Sequence, residues 1–282
     1  MNGEKNYLEI LRFVLENGSL EKNRTGVDAF TFPHMMIQHD MSNGFPLLTT
    51  KKMGIKSISA ELEFFIKGLT DKKWLKDRKC NIWNEWCNPE KIPVELKEDK
   101  EIKDFQYQED DLGKIYGYQW RNFNSQDYDQ LKSVLYKLKN NNRDRRMIVS
   151  AWNPLEFEQM ALPPCHVMWG VNVVGNKLNL WWMQRSVDVF LGLPYNLASY
   201  AILLKLLCEE SGLEEGILTG FLADVHVYEN HVEQAKLQLS REVRDCPKLN
   251  ITNFKGIQEW EYTDLILTDY NPHGSIKAPI SI

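Results

Sequence analysis

Two apolar alternations joined by one turn constrain this chain more than any other stretch of it. Val167, Trp169, Val171 and Val173 alternate with His166, Met168, Gly170 and Asn172, a period of two that sends each set to its own face of a strand. Gly175-Asn176 supplies a turn, and Leu178, Leu180 and Trp182 resume the alternation. The pattern predicts a hairpin with Cys165 at one outer end and Arg185 at the other. A helical pattern follows in ASYAILLKLLCEESG, 198–212, too apolar all round for a surface helix and stopped by Gly212. A hairpin feeding a buried helix fits the α+β class, with a mixed, largely antiparallel sheet and helices packed on one side.

The other segments agree. Tyr7, Leu8, Leu11, Val14 and Leu15 recur at helical spacing, which predicts an opening helix ending near Gly18. TFPHMMIQ reads as a strand, and MIVSAW as another. VHVY and KLNI read as short strands near the end. Ile55, Ile58, Leu62, Phe65 and Ile66 form one helical stripe, with Glu61 expected at its edge, facing a cleft. Order resumes at IYGYQW, and Leu131, Val134, Leu135 and Leu138 predict a further helix. Residues 88–111 are charged and aperiodic, so they are expected to form a peripheral insertion. No Gly/Ser- or Pro-rich linker divides the 282 residues, and a single domain over 1–282 is expected.

Thirty-four basic against thirty-nine acidic residues leave a formal charge of -5, which argues against a general nucleic-acid coat, although Arg143, Arg145 and Arg146 make a local cluster suited to phosphate. Without a signal-like start or a run of 18 apolar residues, a soluble, cytoplasmic protein away from the membrane is expected. Five cysteines, Cys80, Cys87, Cys165, Cys208 and Cys246, form no tight pairs. Neither a disulfide framework nor a metal site is expected, and a free thiol suits a reducing compartment.

Cys165 follows two prolines, Pro163 and Pro164, which limit the backbone just ahead of the thiol. A buried cysteine is ordinarily an inert small hydrophobe. Nearby arginines change that, because a cationic field favours the thiolate. His166 points to the opposite face and makes a poor direct base. Arg24, Arg145, Arg146 and Arg185 each have a plain solvent-facing reading, yet an arginine fork matches phosphate oxygens and Ser186 adds a donor. Asn196 lies between a Gly/Pro turn and the apolar helix, where it reads either as an N-cap or as an amide matched to the donor and acceptor of a uracil edge. His226 and Tyr228, two apart in a strand, face one way and suit a shared hydroxyl. Trp83 and Trp86 read as partly structural and as a platform for a flat ring.

Taken together, NRTG (23–26), FPLLTTKK (45–52), YGYQW (116–120), DRRMIVSAWNP (144–154), ALPPCH (161–166), QRSVDVFLGLPYNLASYA (184–201), DVHVYENH (224–231) and IKAPI (276–280) resemble the folate-dependent thymidylate synthase family, in order and over nearly the whole chain. The resemblance implies reductive methylation of dUMP to dTMP with 5,10-methylenetetrahydrofolate, giving dihydrofolate. It implies that Cys165 adds to C6 of the uracil, that Arg24, Arg185 and Ser186 hold the phosphate, and that Arg145 and Arg146 come from the other subunit of an obligate homodimer joined through a sheet face. It further implies Asn196 on the uracil edge, His226 and Tyr228 on the 3'-hydroxyl, Glu61 in water and proton transfer, and Tyr116 in removal of the C5 proton. Asp188, Ile82, Trp83, Asn84, Leu191 and Gly192 would meet the folate, with Ile280, Ser281 and Ile282 closing over it.

The chain departs from the family pattern at Asn84, where aspartate is usual, and at Gly170-Val171, where a glutamine-aromatic pair is usual. Ser281 replaces an alanine, and Glu63-Phe64 occupy a more apolar patch. Asn84 and Ser281 bear on the hydride step, so dUMP hydroxymethylation, giving 5-hydroxymethyl-dUMP and tetrahydrofolate, is the alternative activity. A cytosine-specific relative would carry aspartate in place of Asn196. An inactive nucleotide- or RNA-binding relative would leave Cys165, Glu61 and Tyr116 without a purpose.

Overall fold

The computed structural model describes residues 1–23, 25–91 and 108–280. Among these residues the chain forms helices α1 (Gly3–Asn17), α2 (Ile55–Ile66), α3 (Lys73–Asp77), α4 (Tyr116–Arg121), α5 (Gln130–Asn140), α6 (Gly192–Ser211) and α7 (Val232–Leu239). The strands are β1 (Ser19–Glu21), β2 (Ala29–Asp40), β3 (Ile148–Ser150), β4 (His166–Val174), β5 (Lys177–Gln184), β6 (Val187–Asp188), β7 (Glu214–Tyr228), β8 (Lys248–Ile251) and β9 (Leu265–Thr268). The main sheet runs β1-β2-β7-β5-β4-β3, with β6 beside β7. Its pairs are antiparallel except β5–β7 and β6–β7, so the expected mixed, largely antiparallel α+β fold is what the chain adopts.

The hairpin forms as its alternation requires. Trp169 and Trp182 face each other across β4 and β5, both fully buried. The parallel β5–β7 step needs a crossover, and α6 supplies it. Thirteen of the twenty α6 residues are buried because the sheet lies on one side and α2 and α5 on the other, which accounts for a helix apolar all round. Gly212 ends it in the left-handed region at φ 69°, where glycine is unstrained. The start of α6 differs from the sequence reading: Gly192 to Tyr195 already form its first turn, where Pro194 is tolerated. Asn196 is therefore inside the helix and is not its N-cap.

VHVY is only the last four residues of β7, a strand of 15 residues. Its earlier part escaped the period-two test because Ile217 and Phe221, on the face away from the helices, are as apolar as Leu218 and Leu222 on the other. That outer face carries the in-register row Met36, Phe221, Met183 and Met168 across β2, β7, β5 and β4. Met36, Met183 and Phe221 are 43–48% exposed, high for large apolar side chains in register on one face. In the next row a Cβ on Gly170 would lie 2.6 Å from the ring of its cross-strand partner Trp181. The family's usual glutamine has no room there once Trp181 covers the position.

Of the charged insertion, residues 92–107 lie outside the described residues. Its distal flank is tied down: Asp71 and Asp111 form a bridge, and Lys76 pairs with Glu109 at 2.6 Å and Asp110 at 2.5 Å. Glu63, the other departure, is buried because it accepts the Tyr262 amide at 2.7 Å and pairs with Lys67. Among the described residues no helix is long and apolar enough to cross a membrane.

Candidate active site

Cys165 immediately precedes β4 and Arg185 immediately follows β5, so the hairpin register brings them side by side. The Arg185 amide donates to the Cys165 carbonyl at 2.9 Å. Its guanidinium donates to the Pro164 and Pro163 carbonyls at 3.0 and 2.8 Å, and Nη2 stands 4.0 Å from Cys165 Sγ. The two prolines thus present carbonyls that aim the arginine at the sulfur. Such a cation stabilises a thiolate by charge and weak hydrogen bonding. Burial pushes the Cys80 and Cys208 thiols up to about 12 and Cys87 up to about 11.

Tyr116 opens α4 and accepts the Cys165 amide on its hydroxyl at 2.8 Å. Its ring stacks on Phe65 at 4.9 Å and meets His166 edge-on at 5.4 Å. Its φ of 23° lies where a bulky side chain is strained, at a cost of about 1–3 kcal/mol. Gly117 makes this pose possible, since a Cβ there would sit 2.3 Å from the Phe65 carbonyl oxygen. Burial, reinforced by the Cys165 charge, holds the phenol well above its ordinary pKa.

Glu61 is buried, not set at a surface edge as the helical stripe suggested. One turn of α2 faces Trp83, whose indole N–H donates to the carboxylate at 2.8 Å. Burial raises its pKa to about 7 against the opposing pull of that hydrogen bond. A carboxyl balanced near neutrality both gives and takes a proton at little cost.

Asn196 meets two fixed partners. Gln184 Nε2 donates to its Oδ1 at 3.1 Å, while Trp182 donates to Gln184 Oε1 at 3.2 Å. The amide also bonds His166, whose pKa burial pulls down to about 4. His166 is therefore neutral near pH 7 and a weak base, through its burial. Gln184 went unnoticed in the sequence, although a polar residue on the buried parity of a strand is itself a signal.

Asp188 Oδ1 accepts the Phe190 and Leu191 amides at 2.9 and 3.0 Å, shaping the turn into α6 and leaving Leu191 and Gly192 half-buried. In β6 it pairs with His226 of β7. His226 and Tyr228 do share a face, with rings 5.2 Å apart. Burial works against the charged imidazole, but the Asp224 hydrogen bond and Asp188 carry the His226 pKa above its ordinary value. Lys51, which sequence reasoning also passed over, is buried, donates to the Phe190 carbonyl and lies 3.9 Å over the Phe190 ring. Burial lowers it to about 8 despite Asp188.

Ile82 and Asn84 are half-buried, and Asn84 bonds back to Asn81 at 3.1 Å. Trp83 is 6% exposed, so its rings serve packing more than an open platform. Ser186 is half-buried beside Arg185. Arg145 and Arg146 are exposed, and Arg146 is held by Asp144 at 2.9 Å. They precede β3, whose register on β4 aligns Ile148 with Gly170. Arg146 therefore lies level with Asn172, about 23 Å along the strand from Cys165, and one chain does not bring these arginines to its own thiol. Arg24 and Ser281 lie outside the described residues.

A thiol faced by a guanidinium, a phenol on its backbone and a buried carboxyl nearby define an enzyme site built on a cysteine. The chain belongs to the thymidylate synthase family, whose model matches residues 5–282. A thymidylate synthase of Mycoplasma genitalium is 44% identical over 99% of this chain and 100% of its own length. One from Mycoplasma pneumoniae is 42% identical over 98% of this chain and 99% of its own.

Proposed function

We propose that this protein converts dUMP to dTMP, with 5,10-methylenetetrahydrofolate leaving as dihydrofolate. The observation that carries the reading is the Arg185 guanidinium 4.0 Å from the Cys165 sulfur, in a chain that matches the family over residues 5–282. The Cys165 thiolate adds to C6 of the uracil, the ring electrons move toward O4, and C5 becomes nucleophilic. The folate, when bound, supplies the one-carbon unit and then the hydride. Asn196, held by Gln184 and His166, reads the uracil edge, and Glu61 exchanges protons around O4. Tyr116 assists loss of the C5 proton and elimination of the sulfur then frees C6. Arg185, Ser186 and Arg24 take the phosphate; His226 and Tyr228 take the 3'-hydroxyl.

Half-buried Ile82 and Leu191 offer apolar surface and half-buried Asp188 a polar group, the mix a flat pterin with a polar edge needs. Asp188, Ile82, Trp83, Asn84, Leu191, Gly192 and Ser281 are the residues proposed to hold it. The working unit is a homodimer joined through the outer sheet face. The Met36, Phe221, Met183 and Met168 row supports this, because such a strip is costly to leave in water. The separation of Arg145 and Arg146 from their own Cys165 supports their donation to the partner's phosphate site. A cytoplasmic location goes with this reading. The relatives matched are synthases by name, which disfavours hydroxymethylation.

Purified protein given dUMP and methylenetetrahydrofolate is expected to release dihydrofolate, seen as rising absorbance, with dTMP by mass spectrometry. Hydroxymethyl-dUMP without dihydrofolate would overturn the synthase reading.

A further inference from the structure

Glu156 lies on the short 3-10 helix Pro154–Gln159, is 5% exposed, and has no place in the chemistry above. Its Oε1 accepts Lys114 Nζ at 2.7 Å and Ser125 Oγ at 2.5 Å. Its Oε2 accepts Gln119 Nε2 at 2.8 Å and Asn153 Nδ2 at 3.0 Å. Lys114 stands two residues before Tyr116 and Gln119 three after it. Gln119 Nε2 also donates to the Lys114 carbonyl at 3.1 Å. The strained residue is thus clamped on both sides, and both sides are fastened to one carboxylate.

The same two segments are zipped by their backbones, Lys114 N to Gln159 O at 2.7 Å and Ala161 N to Leu112 O at 3.0 Å. One segment carries Tyr116. The other runs straight on into Pro163, Pro164 and Cys165. We propose that Glu156 is a positioning residue that sets the Tyr116 hydroxyl against the Cys165 backbone by locking these two segments together. Burial acts to raise its pKa, but Lys114, Ser125 and Gln119 bring it below the ordinary carboxylate value, so the hub remains anionic. A strained backbone persists only where its surroundings over-determine it, and four donors on one buried carboxylate provide that.

The inference rests on the reaction proposed above, and its test separates the two. Glu156→Gln keeps the shape but loses the charge; Lys114→Met, at a partly exposed position, serves beside it in case the first variant folds poorly. Each is measured for kcat, for dUMP KM, for tritium release from C5 of labelled dUMP, and for thermal stability. Glu156→Gln is expected to lower kcat and tritium release together by about tenfold or more, the scale of a small misplacement in a site, with KM little changed. Lys114→Met is expected to do the same more weakly. In a Tyr116→Phe background the Glu156→Gln loss is expected to shrink to about twofold or less, because coupled residues are not additive. A lower melting temperature with unchanged kcat, or a loss undiminished by Tyr116→Phe, overturns the assignment. If the unaltered protein gives no turnover, it is the proposed reaction that fails.

Discussion

Replacing Glu61 by glutamine should stabilise the protein while removing much of its activity. Folding lifts this carboxyl from 4.5 to about 7. Below about pH 4.5 it is neutral whether folded or not, and its burial carries no charge penalty. Above about pH 7 it is ionised in both states, and the folded state bears the whole desolvation cost. At about 1.4 kcal/mol per pKa unit, that cost approaches about 3 kcal/mol. Glutamine has the same shape, still accepts the Trp83 N–H, and does not ionise. Its stability advantage over the parent should therefore grow by about 3 kcal/mol between pH 4 and pH 8. Urea unfolding of both proteins, at one protein concentration so that association cancels, reads this directly. An advantage that stays flat with pH would refute the reasoning, since it would mean that Glu61 is not paying for a buried charge.

Cys165→Ser should lose turnover by several orders of magnitude yet still bind dUMP in calorimetry, because the phosphate and base contacts remain; mixed with Arg145→Ala, it should regain activity in heterodimers, and no recovery would count against sites shared between subunits. Gly117→Ala should destabilise by about 1–3 kcal/mol or more and lower kcat, since the new methyl meets the Phe65 backbone at 2.3–2.5 Å; near-parental melting and rate would show that Tyr116 does not depend on this close approach.

Much of the fold was legible where one face of an element is wet and the other dry. The hairpin, α1 and α5 follow their apolar spacing because polar and apolar residues fall on different sides of each; α2 keeps its apolar stripe although Ile58–Ile66 are all buried. The first part of β7 did not, because its outer face is apolar too, and a central strand with two apolar faces shows no alternation. The thiol and the arginine of the site were readable as the two ends of one hairpin, since register alone makes them meet. Glu61 was misplaced because spacing shows a position on a helix, not what covers it. Gln184, Lys51 and Glu156 stayed silent for a related reason. Lys51 meets a backbone carbonyl far along the chain, while Gln184 and Glu156 meet side chains of neighbouring segments, and no local pattern encodes such partners.

The position of β7 sets the order in which this sheet can be built. It pairs with β2, β5 and β6 at once, and its partners in β2 were made nearly two hundred residues earlier in the chain. Contacts of such long sequence separation form slowly. On the ribosome, β2 and the hairpin must wait with open edges until β7 emerges, late in synthesis. An interruption before that strand appears leaves two half-sheets with exposed edges, which is where aggregation begins.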